Sequence, residues 1–265
     1  MKDAVRLRQR RQRERQGRIV IDGARELGRA IDAGVALVEV FVCEQLCAGE
    51  EARAVLERLP DGDAEVLHVG PKVFEKLAFG DRTEGVLGVA ETPNVRLDDL
   101  KLPDLKLPGR PLVAVLEGVE KPGNVGAVLR SGSGADISAL IVADGRTDLY
   151  NPNAIRASLG TIFTIPVCTA TTAETLDWLR RQRLAVFAAR VDGSVPYTQA
   201  ELRGPAAIAL GSEATGLSAV WSADDITAIG LPMHGVADSL NVSATAAVLF
   251  YEALRQRSHD PPLVR

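Results

Sequence analysis

The sequence predicts an α/β protein made of two successive α/β regions. Short segments rich in Val, Ile, Leu and Ala alternate with amphipathic segments along most of the 265 residues. This alternation is typical of a sheet covered by helices. A proline-rich stretch divides the pattern, and a hydrophobic content of 46% is sufficient for a sizeable core.

The first region, residues 1–91, is predicted to be a small α/β domain. A polar helix is expected at Arg6–Gln16, and the later segments are bounded by glycine or charged residues. The other expected elements are strands at Ile19–Gly23, Val38–Val42, Glu65–Val69 and Val86–Ala90 and helices at Ala24–Ala33, Glu50–Leu59 and Pro71–Ala78. Residues 92–111 contain four prolines, so we expect a semi-rigid linker there.

The second region, residues 112–265, shows a longer alternation. Its expected strands are Leu112–Leu116, Ala139–Val142, Thr164–Val167, Ala185–Ala189, Ala206–Leu210 and Ala228–Leu231. Its expected helices are Val125–Gly134, Asn153–Leu159, Thr172–Arg181, Ala219–Trp221 and Val242–Arg257. Nearly continuous apolar strands indicate a largely parallel sheet covered on both faces. The pattern alone predicts a doubly wound fold with unknotted connections.

The charge distribution is uneven. The net charge is −4, but residues 1–18 carry eight basic and two acidic side chains, a net +6 that leaves −10 for the remainder. Dense arginine on a helix favours salt-sensitive contacts with phosphate groups. The candidate RNA-binding residues are Arg6, Arg8, Arg10, Arg11, Arg13 and Arg15. A solvated terminus is the alternative, and both interpretations stay open.

The cysteines do not form a metal-binding pattern. Cys43, Cys47 and Cys168 are not accompanied by a second Cys or His pair at ligand spacing, so we expect free or buried thiols and no metal. The basic N-terminus lacks the apolar core of an export signal, and no apolar run approaches the roughly 20 residues of a membrane helix. These features favour the cytoplasm.

Polar residues cluster at the start of the last predicted helix. The strand that ends at Leu231 is followed by a polar loop, and Ser239 and Asn241 stand just before Val242. Free backbone N–H groups, a hydroxyl and an amide therefore converge at one helix N-terminus, which is a place that binds polar ligands. Ordinary helix capping is the alternative explanation.

Two further segments place polar residues beyond buried strands. Leu210 is followed by Gly211-Ser-Glu213-Ala-Thr-Gly216, whose glycines allow the backbone to approach a ligand closely. The strand Leu112–Leu116 leads into a Pro-Gly-Asn turn, and the sequence Asn124-Val-Gly-Ala-Val-Leu-Arg130 follows. Taken singly, these residues are a surface carboxylate, a turn residue and a solvated cation.

In this order the three segments resemble the three motifs of the SPOUT superfamily, in its TrmH (SpoU) branch. The resemblance covers about Pro111 to Arg257, and it departs at Lys121, where many members carry an acidic residue. Members are RNA ribose 2′-O-methyltransferases. The resemblance therefore implies S-adenosylmethionine as the cofactor and a deep trefoil knot in about Ala206–Arg257, which replaces the unknotted expectation.

The resemblance also implies the site residues. The backbone around the second and third motifs should cradle adenine and ribose, with the loop 189–193 completing the wall. The expected cofactor-binding residues are Leu210, Gly211, Gly216, Leu231, Met233 and Leu240, although core filling is the preferred interpretation of Met233. The expected catalytic residues are Asn124, Arg130, Glu213, Ser239 and Asn241.

The role of Arg130 is open to two interpretations. In the family, the arginine at this position of the motif has been regarded as the activator of the 2′-hydroxyl group. A guanidinium stays protonated in proteins and has no acceptor, so we prefer a phosphate clamp that orients the ribose. Glu213 is expected to orient Arg130 or, as the weaker alternative, to accept the proton. Asn124 is expected to hold the loop or the ribose.

The resemblance extends to partners and domains. Residues 1–91, with a basic arm at 1–18, are similar in pattern to the substrate-binding domain often fused to these enzymes, and residues 112–265 to the SPOUT methyltransferase domain. The implied substrate is structured RNA, preferably rRNA. The alternatives are tRNA, methylation of a base nitrogen, or a catalytically silent RNA-binding or ribosome-assembly role. Apolar positions surround most of the helix Val242–Arg257, as expected in a homodimer.

Overall fold

The chain forms two compact units. The structure is a computed structural model that describes residues 1–59, 62–79, 84–102 and 110–258. The first unit comprises Met1–Asn94 together with Asp148–Thr164, and the second comprises Val95–Thr147 together with Ile165–Arg265. Within the described ranges no helix is both long and apolar enough to cross a membrane.

The first unit contains a four-stranded mixed sheet. Its helices are α1 (Lys2–Arg6), α2 (Arg10–Gln16), α3 (Ala24–Asp32), α4 (Glu50–Arg58) and α5 (Pro71–Leu77), and its strands are β1 (Arg18–Asp22), β2 (Leu37–Val42), β3 (Glu65–His68) and β4 (Val86–Glu91). The strand order is β1-β4-β2-β3, and only the β2–β3 pair is parallel. The predicted Arg6–Gln16 helix is wrong as a continuous element, because Gln9 is extended and Leu7 turns into the core.

Two of the six arginines predicted to bind RNA are held by the first unit itself. Arg13 is 4% exposed and forms an ion pair with Asp148, which lies in the segment contributed by Asp148–Thr164. Arg8 donates hydrogen bonds to the carbonyl groups of residues 76–78, at the end of α5. The phosphate-binding prediction therefore fails for the buried Arg13, whereas Arg6, Arg10, Arg11 and Arg15 are exposed.

The second unit is built on a seven-stranded sheet. Its strands are β5 (Leu112–Glu117), β6 (Ala139–Ala143), β7 (Val167–Ala170), β8 (Ala185–Ala189), β9 (Val195–Pro196), β10 (Ala206–Leu210) and β11 (Ile226–Gly230). The described order is β7-β6-β5-β10-β8-β11-β9, and every described pair is parallel. The predicted parallel sheet is thus confirmed, and the knot implied by the resemblance stays a prediction.

The helices of the second unit are α6 (Pro122–Gly134), α8 (Thr172–Arg181) and α9 (Val242–Arg257), whereas α7 (Pro152–Ala157) belongs to the first unit. A core made mostly of alanine, leucine and valine, with the two tryptophans Trp178 and Trp221, packs against the sheet. The predicted bounds of α8 and α9 are confirmed. The segment predicted as a helix at Ala219–Trp221 is a 3-10 turn, Ala219–Ser222.

Three predicted bounds are corrected in the second unit. Strand β7 begins at Val167 rather than Thr164, because a 3-10 turn occupies Thr161–Phe163 and Pro166 has no N–H to donate to a sheet. Strand β11 ends at Gly230, so Leu231 lies beyond it. Helix α6 begins at Pro122, which is favoured in a first turn, and Asn124 is therefore helical.

Part of the predicted linker packs on the second unit. Leu100 is buried in the core of that unit, and Val95, Leu97 and Leu102 lie against it. The remaining predicted linker residues 103–109 lie outside the described residues. The predicted domain boundaries stay a prediction, although the contacts assign residues 95–102 to the second unit and 148–164 to the first.

We predict that Arg13→Ala lowers the free energy of unfolding by about 3 kcal/mol, because it leaves Asp148 without its buried partner. Urea unfolding measures this loss. The matched control is Arg11→Ala, whose exposed side chain should contribute within about 0.5 kcal/mol. Equal stability of both variants would contradict the structural role of Arg13.

Candidate active site

A cavity of about 490 Å³ lies at the carboxyl ends of β8, β10 and β11. Its walls come from residues 189–192, residues 210–217, the chain after β11 and the start of α9. The carboxyl ends of neighbouring parallel strands share one edge of the sheet, which is where open α/β sheets bind ligands. The position of the cavity follows from the strand order.

All six residues predicted to bind the cofactor line this cavity. They are Leu210, Gly211, Gly216, Leu231, Met233 and Leu240. The preferred interpretation of Met233 as core filling is wrong, because its side chain is only half-buried and borders the cavity. Glu213 and Ser239 line the cavity as well. Sequence motifs distant in the chain are therefore brought together in space.

Two glycines fix the loop that follows β10. A Cβ on Gly211 would lie 2.1 Å from the carbonyl carbon of Gly216, and Gly216 itself has φ +66°. The Gly216 N–H donates to the Ser212 carbonyl at 2.9 Å, which closes the loop. Gly211 is thus required because two backbone segments approach each other.

Glu213 joins the starts of two helices. Its Oε1 accepts a hydrogen bond from Asn124 Nδ2 at 2.6 Å and another from Asn241 Nδ2 at 2.7 Å. Its Oε2 lies 3.4 Å from Lys121 Nζ. One carboxylate therefore ties the first turn of α6 and the N-cap of α9 to the loop after β10, and all three motifs meet at this group.

Asn241 serves as a helix cap and as a member of the site. Its Oδ1 accepts hydrogen bonds from the backbone N–H of Ser243 at 2.9 Å and from the Ser243 hydroxyl at 2.6 Å. Its Nδ2 remains directed at Glu213. The two interpretations offered for Asn241 are therefore compatible, because each end of the amide has a different partner.

The far end of α9 is anchored by Arg257. Its guanidinium donates to the carbonyl groups of Leu202, Gly204 and Arg110 at 2.8 to 2.9 Å. Burial lowers the pKa of Arg257 to about 10. These bonds hold α9 in place, and they thereby fix the position of Asn241 at its start.

Arg130 lies apart from the hydrogen-bonded cluster. It is exposed on α6, six residues after Asn124, which is a rotation of about 240° around the helix. The described contacts of Glu213 go to Lys121, Asn124 and Asn241. Within one chain Glu213 therefore has no described contact with Arg130, and the expectation that Glu213 orients Arg130 stays a prediction.

A buried carboxylate that was not expected from the sequence supports the loop after β10. Glu117, at the end of β5, accepts hydrogen bonds from the Ser218 N–H at 2.6 Å, the Ser218 hydroxyl at 2.7 Å and the Thr172 hydroxyl at 2.8 Å. It holds the end of the loop that contains Glu213. A carboxylate directly after a strand of apolar residues was the available signal.

Lys121, where the sequence departs from many members of the family, pairs with Glu213. The loop 189–193, expected to complete the wall, lines the cavity through residues 189–192 and brings Arg190 and Asp192 there, and Asp238 lines the cavity as well. In the part of the chain that the structure describes, no cluster of three or more His, Cys, Asp or Glu residues could hold a metal ion. All three cysteines are buried, and burial raises the pKa of Cys168 to about 12.

Comparison with protein families identifies two domains. Residues 111–251 match the SpoU rRNA methylase family, and residues 1–88 match the MRM3-like substrate-binding domain. The first match spans more than half of the chain. The chain belongs to the SpoU rRNA methylase family.

The similarity to two named relatives extends over most of the chain. The chain is 32% identical to the 23S rRNA (guanosine-2′-O-)-methyltransferase RlmB of Ralstonia nicotianae, over 81% of this chain and 87% of that protein. It is 27% identical to a 23S rRNA (uridine(2479)-2′-O)-methyltransferase of Streptomyces viridochromogenes, over 94% of this chain and 86% of that protein.

Solved structures agree over both units. A crystal structure of an RNA 2′-O ribose methyltransferase is 40% identical, with a TM-score of 0.83 and coverage of 97% of this chain and 95% of the other. The SpoU methyltransferase AviRb from Streptomyces viridochromogenes, solved in complex with AdoMet, is 26% identical, with a TM-score of 0.85 and 97% coverage of each chain. The predicted SPOUT fold class is confirmed.

We predict that Glu213→Ala lowers the free energy of unfolding by about 1–2 kcal/mol, because two asparagine amides lose their shared charged acceptor. Urea unfolding measures the change. Lys121→Ala is the control, and its exposed ion pair should contribute at most about 1 kcal/mol. The bridging role would be refuted by a Glu213→Ala variant as stable as the parent.

Proposed function

We propose that this protein is an S-adenosylmethionine-dependent rRNA methyltransferase that modifies a ribose 2′-hydroxyl. The observation that carries the proposal is that residues of all three family motifs meet at Glu213, a carboxylate that lines the cavity. The rRNA 2′-O-methyltransferase names of the relatives support the same reaction. With rRNA as the substrate, we expect the enzyme in the cytoplasm.

The cavity fits the cofactor. Its volume of about 490 Å³ falls within the roughly 300–1,000 Å³ of small-molecule sites. Leu210, Leu231 and Leu240 offer apolar surface for a flat adenine, and backbone groups at the strand ends offer hydrogen bonds. Glu213 and Asp238 offset the net positive charge of the cofactor.

The residues around the cavity align the reactants. The cofactor supplies an electrophilic methyl group on a sulfonium. The chain must hold the ribose in line with that methyl group, keep water out and remove the hydroxyl proton. Glu213 lines the cavity and fixes Asn124 and Asn241 by hydrogen bonds, so we place these two amides on the substrate side. Ser239 lines the cavity as well.

Arg130 acts as a clamp for phosphate in this proposal. A guanidinium presents paired N–H donors that match phosphate oxygens and has no acceptor for a proton. Its positive charge beside the ribose lowers the pKa of the hydroxyl. Because it lies on a different face of α6 from Asn124, we assign its phosphate contact to a second copy of the chain.

The preferred substrate is rRNA rather than tRNA. Two relatives that match most of the chain are named for 23S rRNA. The N-terminal unit supplies RNA contacts in this proposal. Arg6, Arg10, Arg11 and Arg15 form its exposed basic face, and their role stays a prediction.

A homodimer completes the site in this proposal. Tyr251 on α9 is 52% exposed and Leu240 is 41% exposed, while Val248 and Leu254 are half-buried. An apolar surface of this kind beside the cavity suits a self-complementary contact about a two-fold axis.

The proposed reaction is tested with a radiolabelled methyl donor and ribosomal RNA from cells that lack the enzyme. We expect a methyl group on one ribose 2′-oxygen, found by mapping the modified nucleotide. Arg130→Lys should retain weak transfer with an unchanged pH profile, since a point charge survives although the fork is lost. A methyl group on a base would contradict the proposed reaction, and loss of the controlling pKa in the lysine variant would contradict the clamp.

The shared site is tested by mixing two inactive chains, Arg130→Ala and Asn241→Ala. If Arg130 serves the cavity of its partner, each mixed dimer contains one intact site and activity returns on subunit exchange. Light scattering supplies the oligomeric state, with each variant alone as the control. A monomer at micromolar concentration, or exchange without rescue, would rule out the shared site.

A further inference from the structure

The cavity contains an ion pair, Arg190–Asp192, that has no role in the reaction proposed above. Arg190 Nε donates to Asp192 Oδ1 at 2.8 Å, and Arg190 Nη2 donates to Asp192 Oδ2 at 2.9 Å. The two residues follow β8 directly and both line the cavity. Because β8 lies between β10 and β11, the pair stands at the centre of the strand edge that forms the cavity.

The loop that carries the pair is fixed to its neighbour. The backbone N–H of Arg190 donates a hydrogen bond to the Ile229 carbonyl at 2.9 Å, and the backbone N–H of Gly193 donates one to the Arg190 carbonyl at 3.2 Å. A Cβ on Gly193 would lie 2.3 Å from the carbonyl carbon of Ile229, so only glycine permits this approach. The third guanidinium nitrogen, Nη1, contacts the Ser222 hydroxyl.

The described hydrogen bonds of the Arg190 guanidinium go to protein groups, whereas the Asp192 carboxylate can accept further hydrogen bonds. Each carboxylate oxygen accepts one hydrogen bond from Arg190 and retains another lone-pair site. The Asp192 side chain is 66% exposed, and the Arg190 side chain 28%. The Arg190 hydrogen bonds also hold the pKa of the Asp192 carboxyl below its usual range, so the group remains an acceptor.

We infer that Asp192 is the acceptor for the ribose hydroxyl groups of the adenosine part of the cofactor. The inference rests on the proposed function. The paired charges of Arg190 and Asp192 sum to zero, so the pair suits a neutral hydroxyl donor, and a cation at Asp192 would also face the guanidinium. A carboxylate beyond a strand end is a general solution for binding a ribose diol.

The test uses a neutral probe, 5′-deoxy-5′-methylthioadenosine, which carries the adenine and the diol without the amino acid part. Isothermal calorimetry compares it with its 2′,3′-dideoxy analogue on the full chain. We expect the parent to bind the diol about ten- to a hundredfold more tightly than the analogue. The Asp192→Ala substitution should weaken binding of the diol probe by a similar factor and leave the affinity for the dideoxy analogue unchanged.

The matched control is Asp225→Ala. Asp225 forms the same two-bond pair with Arg180 at 2.7 and 2.9 Å, but it does not line the cavity. Both variants leave an arginine without its acidic partner, so a general effect of charge or stability appears in both. Melting temperatures verify folding, and Asp192→Asn replaces the alanine variant if that variant does not fold.

Three results would overturn the inference. Equal affinity of the parent for the diol and its dideoxy analogue would show that no residue recognises the hydroxyls. If Asp192→Ala binds S-adenosylhomocysteine more weakly than the parent but binds the neutral probe equally well, Asp192 contacts the ammonium group of the amino acid part instead. If the parent binds none of the adenosine ligands, the proposed cofactor itself fails, which distinguishes that failure from an error about Asp192.

Discussion

The candidate site depends on one carboxylate that accepts two side-chain amides. Glu213 lies on a loop after β10, Asn124 in the first turn of α6 and Asn241 at the N-cap of α9. These groups are separated by up to 117 residues along the chain, and the hydrogen bonds to Oε1 bring them to one point. Without that acceptor, both amides would donate to water instead, and the three segments would lose the contact that orients them relative to one another.

Other contacts keep this carboxylate in place. Glu117 holds the end of the loop through Ser218, and the close backbone approach at Gly211 shapes its beginning. Arg257 fixes the distant end of α9 by donating to the carbonyl groups of Leu202 and Gly204 in the same chain. The site is therefore supported by buried polar groups on rigid elements, which limits the freedom of the side chains that face the cavity.

Much of this arrangement was predictable from the sequence. The apolar strands of the second unit were located because residues buried on both sides form continuous runs, and β8 and β10 match their predicted bounds. The cavity residues followed from the family resemblance rather than from periodicity. The bounds at β7 and α6 were missed where proline set the element boundary, since its effect depends on the neighbouring turn.

The partners of charged residues could not be predicted. Arg13 appears in an arginine-rich arm, yet it is buried against Asp148, a residue 135 positions away. Within the chain, the described partners of Glu213 are Lys121 and the two amides, which the sequence did not indicate. Such pairings depend on tertiary distances that no local pattern encodes. The loop 189–193 was expected at the cavity, but the ion pair between its Arg190 and Asp192 was not.

The central claim is that the cavity at the ends of β8, β10 and β11 holds the cofactor, and a crystal structure with S-adenosylhomocysteine tests it most directly. The account predicts adenine among Leu210, Leu231 and Leu240, with the homocysteine sulfur directed toward the Glu213 cluster. Ordered ligand at any other place, with this cavity empty at saturating concentration, would contradict it.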